Sequence, residues 1–399
     1  MEDLTRRRFL TSLGIAGVSA SCCSGLRTLF ATHKDLFEKY PLALDISLQS
    51  SFQGRITGLY STTYELEKRI QEYDAVAAFF QQPVIVLSEG KGTETERMHI
   101  QKMEIVYHTW LRDLFLFSEH SLLLSPRIFS DATGPLNGNL YHRTKQIEDS
   151  AAYLAEKEGV TLAVAPCPFE GGQVLKAGNH TLVPEFWNDI RNLKVLALMK
   201  PDVYERIQTE EDILHFYEQV FGPILFVPNY FQEFATFSGH LDTYITPIST
   251  DTLLVGDIGL ADEIISGESS SIIREFEASL EEKVELYPPK QGPVILRDVD
   301  LELKRTFNDV LDQAADFLSQ RYSVKRIPFA LIQMGYEPAF LSYNNALLED
   351  ATKKALVPQF GLACLDSEVT SAFVSEGYSV KSIDTTEGIF RKSGPHCMY

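Results

Sequence analysis

The sequence contains the stretch Glu170-Gly171-Gly172-Gln173-Val174-Leu175-Lys176-Ala177-Gly178-Asn179-His180-Thr181-Leu182-Val183. Two β-prone runs flank its turn signal, Ala177-Gly178-Asn179, which predicts a β-hairpin over residues 173–183. The amphipathic segment 210–221 then predicts a helix that ends at Gly222, and residues 224–227 predict a strand. This part of the chain therefore predicts a unit of hairpin, helix and strand.

The same order of elements recurs along the rest of the chain. Further helices are predicted at residues 140–158, 272–283, 301–321 and 365–375, and further strands at 121–129, 160–165, 327–333 and 378–383. A second hairpin is predicted at residues 243–255, turning near Ser249-Thr250-Asp251. The pattern indicates an α/β fold in which a unit of about 70 residues is used roughly five times. Residues 40–399 are predicted to form one domain.

The chain is strongly acidic. Its 399 residues include 55 Asp and Glu against 36 Lys and Arg, which gives a formal net charge of −19. This balance argues against a nucleic-acid partner, which would require basic patches, and it suits a small cationic substrate. Solubility alone explains the charge equally well. The hydrophobic content of 44% indicates a globular protein.

Residues 1–30 predict an export signal. Arg6-Arg7-Arg8 precedes an apolar run at residues 10–20, which is the layout of a twin-arginine signal, so we expect an exported, periplasmic protein. The run is too short to form a stable transmembrane helix. Cys22 follows Ser19-Ala20-Ser21, which loosely resembles a lipoprotein cleavage site. A lipid anchor at Cys22 and an amphipathic N-terminal helix are the alternatives.

Three cysteines remain when Cys22 and Cys23 are assigned to the signal: Cys167, Cys364 and Cys397. An odd number gives no disulfide framework, and the absence of a Cys-x-x-Cys pair removes support for a zinc site of that kind. Cys397 follows a turn signal and His396 near the C-terminus. A thiol becomes a nucleophile as thiolate, which a bound guanidinium would stabilise. The alternative is a structural cysteine or one at a frayed chain end.

Three carboxylates and a histidine upstream are candidate partners of this thiol. His240 and Asp242 lie two residues apart, and in a strand both side chains would point to one side. An imidazole titrates near neutral pH and can transfer protons. Glu170 precedes two glycines that allow close approach, and Asp113 follows Arg112. Taken singly, these residues have ordinary explanations. His240 and Asp242 fit a solvent-facing pair on a strand, Glu170 fits an acidic residue in a turn, and Asp113 fits a surface ion pair with Arg112.

The order of these motifs resembles that of the guanidine-modifying enzyme superfamily, most closely its agmatine deiminase and bacterial peptidylarginine deiminase branch. The motifs are Trp110-x-Arg112-Asp113, Glu170-Gly171-Gly172, Gly239-His240-x-Asp242 and His396-Cys397. Two further stretches resemble the same branch: Ser342-Tyr343-Asn344-Asn345 and Val357-Pro358-Gln359-Phe360-Gly361. The resemblance extends from about residue 105 to the C-terminus.

The resemblance implies a five-bladed α/β propeller of repeated ββαβ units, the pentein type. It implies that Cys397 is the nucleophile, that His240 is the proton shuttle, and that Glu170 hydrogen-bonds a substrate nitrogen and steers protons. Asp113 and Asp242 would clamp the guanidinium. The implied substrate is a small cationic guanidino compound or the arginine side chain of a peptide, and the chemistry requires no metal and no organic cofactor.

Two departures leave the substrate open. Gln173 stands where the agmatine branch usually has asparagine, and the ending Lys392-Ser393-Gly394-Pro395 is closer to that of arginine deiminases. Agmatine, peptidyl-arginine and free arginine are therefore all candidates. Two alternative functions remain on the same scaffold: an amidinotransferase, in which an amine replaces water, and a non-catalytic guanidine-binding protein.

Overall fold

A computed structural model describes residues 38–46, 59–62, 66–88, 98–102, 115–118, 120–126, 138–228, 240–284, 293–335 and 337–386. The predicted export signal at residues 1–30, with Cys22, lies outside these residues. So do the predicted clamp residue Asp113 and the predicted nucleophile Cys397. In the part of the chain that is described, no helix is both long and apolar enough to cross a membrane.

Strands and helices alternate through the described residues. The strands are β1 Leu59–Thr62, β2 Val84–Ser88, β3 Met98–Lys102, β4 Phe115–Phe117, β5 Ser121–Leu124, β6 Thr161–Val164, β7 Leu175–Ala177, β8 His180–Pro184, β9 Ile224–Val227, β10 Ile245–Pro247, β11 Thr252–Asp257, β12 Val294–Ile295, β13 Ser323–Met334, β14 Glu337–Ser342, β15 Leu347–Glu349, β16 Lys354–Gln359 and β17 Ser379–Asp384. The α-helices are α1 Ala43–Ile46, α2 Leu66–Phe80, α3 Gly138–Glu158, α4 Lys194–Met199, α5 Pro201–Tyr204, α6 Glu210–Phe221, α7 Ile258–Gly267, α8 Ser270–Val284, α9 Leu301–Ser319 and α10 Ala363–Ser375.

The described strands form five sheets, and four of these share one topology. In each of the four, an antiparallel hairpin is followed by one or more helices and by a strand that returns parallel to the second hairpin strand. These sheets are β4-β5-β6, β7-β8-β9, β10-β11-β13 and β15-β16-β17. The remaining sheet, β1-β2-β3, is parallel throughout. The ββαβ unit predicted from the sequence is therefore present, and the fold is mixed α/β.

The predicted unit of residues 173–227 forms as expected. The hairpin turns at Gly178, whose φ of +53° favours glycine, and α6 and β9 have the predicted bounds. Thr209 caps α6 because its side chain accepts a hydrogen bond from the Asp212 backbone N–H, and Gly222 ends the helix with a φ of +74°.

The units differ in length. The β15-β16-β17 unit occupies residues 347–384, whereas the β10-β11-β13 unit extends over residues 245–334. The difference arises because α7, α8, β12 and α9 all lie between β11 and β13, whereas α10 alone separates β16 from β17. The sheet of the longer unit also gains β12 and β14 as further neighbours of β13.

The sheet of β10, β11 and β13 separates two apolar clusters. Alternate side chains point to opposite faces of a strand, so Phe329 and Leu331 join one cluster while Ala330 and Ile332 join the other. The first cluster is completed by the apolar stripe of α9, which contributes Phe307, Val310, Leu311, Ala314 and Leu318. This sheet is buried on both faces, and the loops around its hairpin carry part of the candidate site.

Candidate active site

The position of Glu170 is set by the segment that follows β6 and by a tight turn. Glu170 itself has an extended conformation and directly precedes a 3₁₀ turn at Gly171–Gln173. The Ser125 hydroxyl holds the preceding residue, because it accepts from the Phe169 N–H at 3.0 Å and donates to the Phe169 carbonyl at 2.7 Å. The backbone on the N-terminal side of Glu170 is thereby fixed to the end of β5.

Gln173 ties the other side of this turn to the protein core. Its Oε1 accepts hydrogen bonds from the Glu170 backbone N–H and from the Trp187 Nε1, both at 3.3 Å. Trp187 is 1% exposed and packs against Tyr217 and Phe221, with ring centroids 5.3 and 5.6 Å away. Gln173, which stands where the agmatine branch usually has asparagine, therefore links Glu170 to a buried aromatic cluster.

His240 and Asp242 lie on a turn, so the prediction of a strand at this point is wrong. Leu241–Thr243 is a 3₁₀ turn with His240 at its N-terminus, and β10 begins only at Ile245. The Thr243 hydroxyl donates to the His240 carbonyl at 2.6 Å. The turn, and not the alternation of side chains along a strand, brings the His240 and Asp242 side chains together.

The side chains of Glu170, His240 and Asp242 converge. The Nε2 of His240 hydrogen-bonds Oε2 of Glu170, and its Nδ1 lies 3.7 Å from Oδ1 of Asp242. The exposed fractions of the His240, Glu170 and Asp242 side chains are 9%, 17% and 2%. A carboxylate near each ring nitrogen stabilises a doubly protonated imidazole, because both N–H groups of a largely buried ring then face negative charge. The arrangement suits an imidazole that gives and takes protons.

Gly172 is required for this convergence. A Cβ at this position would lie 2.5 Å from Asp242 Oδ1, 2.5 Å from His240 Nδ1 and 2.8 Å from His240 Cγ. Carbon atoms do not approach such atoms so closely, so any side chain would push the histidine and the aspartate apart. The second glycine of Glu170-Gly171-Gly172 therefore makes room for the residues predicted to work with Glu170.

We predict that Gly172→Ala lowers kcat/KM about 100-fold, because a displacement of His240 by about 1 Å misplaces the imidazole to which the sequence resemblance assigns proton transfer. Gly267→Ala is the matched control, since a Cβ at Gly267 meets nothing within 4 Å. The measurement is release of ammonia, the activity that the sequence resemblance implies, by both variants, with circular dichroism to verify folding. Equal activity of the two variants would contradict the role given to Gly172.

The stretch 342–345 contributes a residue whose role the sequence did not reveal. Asn345 Nδ2 donates to Asp242 Oδ2 at 2.9 Å, across 103 residues of sequence. Its relation to Asp242 was invisible in the sequence because nothing local marks so distant a contact. The family resemblance includes this stretch but implies no role for any residue in it.

The second family-like stretch, residues 357–361, is joined to the first through Asp366. The Asp366 carboxylate accepts from the Tyr343 hydroxyl at 2.8 Å and from the backbone N–H groups of Phe360 and Gly361 at 3.2 and 3.0 Å. Burial raises the pKa of Asp366, and these hydrogen bonds oppose that rise. Asp366 therefore fixes the end of β16 against the loop that carries Asn345.

The two described cysteines are poor candidates for a nucleophile. Cys167 is fully buried, and burial raises its pKa to about 12, an effect that the nearby Tyr217 hydroxyl offsets only in part. Burial and the neighbouring Glu268 carboxylate also raise the pKa of Cys364. Since the thiolate is the reactive form, a raised pKa makes both thiols less reactive. Cys397 stays the predicted nucleophile, outside the described residues.

We predict that a thiol reagent at pH 8 modifies Cys397 in the folded protein and leaves Cys167 unmodified. A thiol with a pKa of about 12 is almost entirely protonated at that pH, and Cys167 has no exposed surface. Peptide mapping by mass spectrometry after brief alkylation measures both sites, and alkylation of the unfolded protein is the control in which both react. Modification of Cys167 at the rate of Cys397 would contradict the assignment.

The described residues contain no group of three or more His, Cys, Asp or Glu side chains placed to hold a metal ion. Glu170, His240 and Asp242 come together instead through hydrogen-bond and ion-pair contacts. Within the described residues, these three are the members of the predicted site that the structure brings together.

The fold of the chain is that of solved deiminases. The chain resembles C. jejuni agmatine deiminase with a TM-score of 0.52 at 13% identity, over 85% of this chain and 92% of that one. A Porphyromonas gingivalis protein provisionally assigned as an arginine deiminase gives 0.53 at 15% identity, over 85% and 94%. A protein provisionally assigned as a peptidyl-arginine deiminase gives 0.55 at 13% identity, over 88% and 98%. No protein-family profile and no curated protein sequence matches the chain. At these identities the likeness establishes a shared fold.

Proposed function

We propose that the protein is a hydrolase that converts a guanidino group to a ureido group and releases ammonia. The observation that carries the proposal is the buried His240 imidazole held between the carboxylates of Glu170 and Asp242. The shared fold with deiminases and the order of the sequence motifs support it. The charge of −19 also suits a cationic substrate.

Substrate binding is assigned to Asp242 and Asp113. A guanidinium is planar and presents paired N–H groups, which carboxylates can accept in bidentate fashion. Asp242 is 1% exposed, so an ion pair formed there is weakly screened by water. The two aspartates would hold the guanidinium with its carbon facing the Cys397 thiolate.

The reaction proceeds in two halves on Cys397. The thiolate attacks the guanidinium carbon to form a C–S bond, and the C–N bond to the departing nitrogen breaks as His240 donates a proton, releasing ammonia. This leaves a thiouronium-type intermediate on the sulfur. His240 then takes a proton from water, and the hydroxide attacks the same carbon. The C–S bond breaks to restore the thiolate, and the added oxygen loses its remaining proton to solvent as the neutral ureido product is released. Glu170 hydrogen-bonds His240 Nε2 and orients the ring for both transfers.

Agmatine and peptidyl-arginine are the leading substrates, and free arginine is the third. The test is an assay of ammonia and ureido product over agmatine, free arginine and arginine-containing peptides. We expect equal amounts of ammonia and ureido product from one of these classes. Ammonia release from none of them would overturn the proposal, and a new product that appears only with an added amine would indicate amidino transfer instead.

The remaining sequence predictions belong to the same proposal. Residues 1–30 direct export through the twin-arginine route, and residues 40–399 form one catalytic domain. The ββαβ units are arranged as a five-bladed propeller, which the five sheets and the shared fold support.

Fractionation of cells that express the full chain tests the export prediction. The mature protein is expected in the periplasm, and Arg6→Lys with Arg7→Lys is expected to retain it in the cytoplasm.

A further inference from the structure

Asn345 and Asp242 form a buried polar pair between distant parts of the chain. The amide Nδ2 of Asn345 donates to Asp242 Oδ2 at 2.9 Å, and the two residues are 2% and 1% exposed. A carboxylate buried to this degree depends on protein donors, because water reaches it poorly. The hydrogen bond therefore constrains the aspartate more than a similar contact at the surface would.

The backbone around Asn345 is fixed to the loop and hairpin that follow Asp242. The Ser342 hydroxyl donates to the Thr243 carbonyl. The Thr246 hydroxyl donates to the Asn344 carbonyl at 2.6 Å, and Asn344 Nδ2 donates to the Leu254 carbonyl at 3.1 Å. Three contacts thus join residues 342–344 to residues 243–254, so Asn345 has a defined position relative to the aspartate.

This fixed donor sets the orientation of the carboxylate. With Oδ2 hydrogen-bonded to Asn345, Oδ1 faces Nδ1 of His240 at 3.7 Å and borders Gly172. We propose that Asn345 is a positioning residue that holds Asp242 in the orientation required to grip the guanidinium. This inference rests on the proposed function, in which Asp242 binds the substrate. Asn345 acts through Asp242 and is assigned no contact with the reacting atoms.

The test compares Asn345→Ala and Asn345→Asp with the wild-type protein. Loss of one hydrogen bond to a charged group is expected to raise KM roughly tenfold to hundredfold, while kcat changes less. Asp matches Asn in size but replaces the donor with an oxygen that repels Asp242. A positioning role therefore predicts that Asn345→Asp raises KM at least as much as Asn345→Ala, whereas a space-filling role predicts that it is the milder change.

Thr181→Val is the matched control. Thr181 is 0% exposed, and its hydroxyl donates to the Phe221 carbonyl at 2.8 Å, so this variant also loses one buried hydrogen bond, but in another sheet. It is expected to lower the thermal midpoint and leave KM unchanged. Circular dichroism verifies that Asn345→Asp, the variant of equal size, is folded.

A binding measurement separates this inference from the proposed function. Calorimetric titration of agmatine into Cys397→Ala and into Cys397→Ala with Asn345→Ala is expected to show weaker binding in the double variant by the same factor as the rise in KM. Ammonia release by the wild-type protein with unchanged KM in both Asn345 variants would overturn the role of Asn345 and leave the proposed function standing. A normal KM for Asn345→Asp together with a raised KM for Asn345→Ala would also overturn the role of Asn345. A wild-type protein inactive on every guanidine would instead overturn the function.

Discussion

Cys397→Ala releases no measurable ammonia from the guanidino substrate, yet still binds it. The nucleophile forms the C–S bond on which both halves of the reaction depend, so its loss is expected to lower kcat by at least about 10⁴-fold. Binding survives because the carboxylates that grip the guanidinium, Asp113 and Asp242, are unchanged. The measurements are ammonia release at saturating substrate and calorimetric titration with the same compound.

Cys364→Ala is the control for this variant. Cys364 is half-buried in α10 and packs beside the apolar cluster that contains Phe373, and the proposed mechanism assigns it no role. We expect it to keep nearly full activity. If Cys397→Ala turned over substrate at the rate of Cys364→Ala, Cys397 would not be the nucleophile.

His240→Gln is expected to have the second largest effect, a fall in kcat of about 10²–10⁴-fold. The variant loses the group that protonates the departing ammonia and then activates water. Glu170→Gln is expected to lose activity as well, because it removes the charged partner of His240 Nε2. Since the two residues act as one unit, the double variant is expected to be little worse than His240→Gln alone.

The measurement is kcat for the two single variants and the double variant. His180→Gln is the matched control, because His180 also makes a partly buried hydrogen bond, between its Nδ1 and the Tyr322 hydroxyl at 2.9 Å, in a different sheet. It is expected to affect stability and leave kcat unchanged. Losses that simply multiply in the double variant would show that His240 and Glu170 act independently, against the geometry described above.

Local sequence signals account for part of the fold. The helix α6 and the strand β9 were predicted at their observed bounds because the amphipathic spacing and the glycine stop agree there. The lengths of the units were not predictable, because the insertion of α7, α8 and α9 between β11 and β13 depends on which strands pair, and that choice is made by contacts far apart in sequence.

The candidate site was predicted in part. The sequence identified Glu170, His240 and Asp242, and the structure brings them together, but the turn at Leu241–Thr243 replaces the predicted strand. A spacing of two residues between His240 and Asp242 does not distinguish a strand from a single 3₁₀ turn, because it is compatible with both structures. The contributions of Gln173 and Asn345 depend on hydrogen bonds to Trp187 and Asp242 that no local pattern encodes. Asp113 and Cys397 stay predictions from the sequence.

The most direct test of the account is to quench the wild-type enzyme with acid during turnover and to map its peptides by mass spectrometry. The proposed mechanism predicts that the peptide carrying Cys397 gains the mass of the substrate less one ammonia, and that this adduct disappears when the substrate is exhausted. The same treatment of Cys364→Ala should give the same adduct. Steady ammonia release with an unmodified Cys397 peptide, or with the adduct on another residue, would contradict the account.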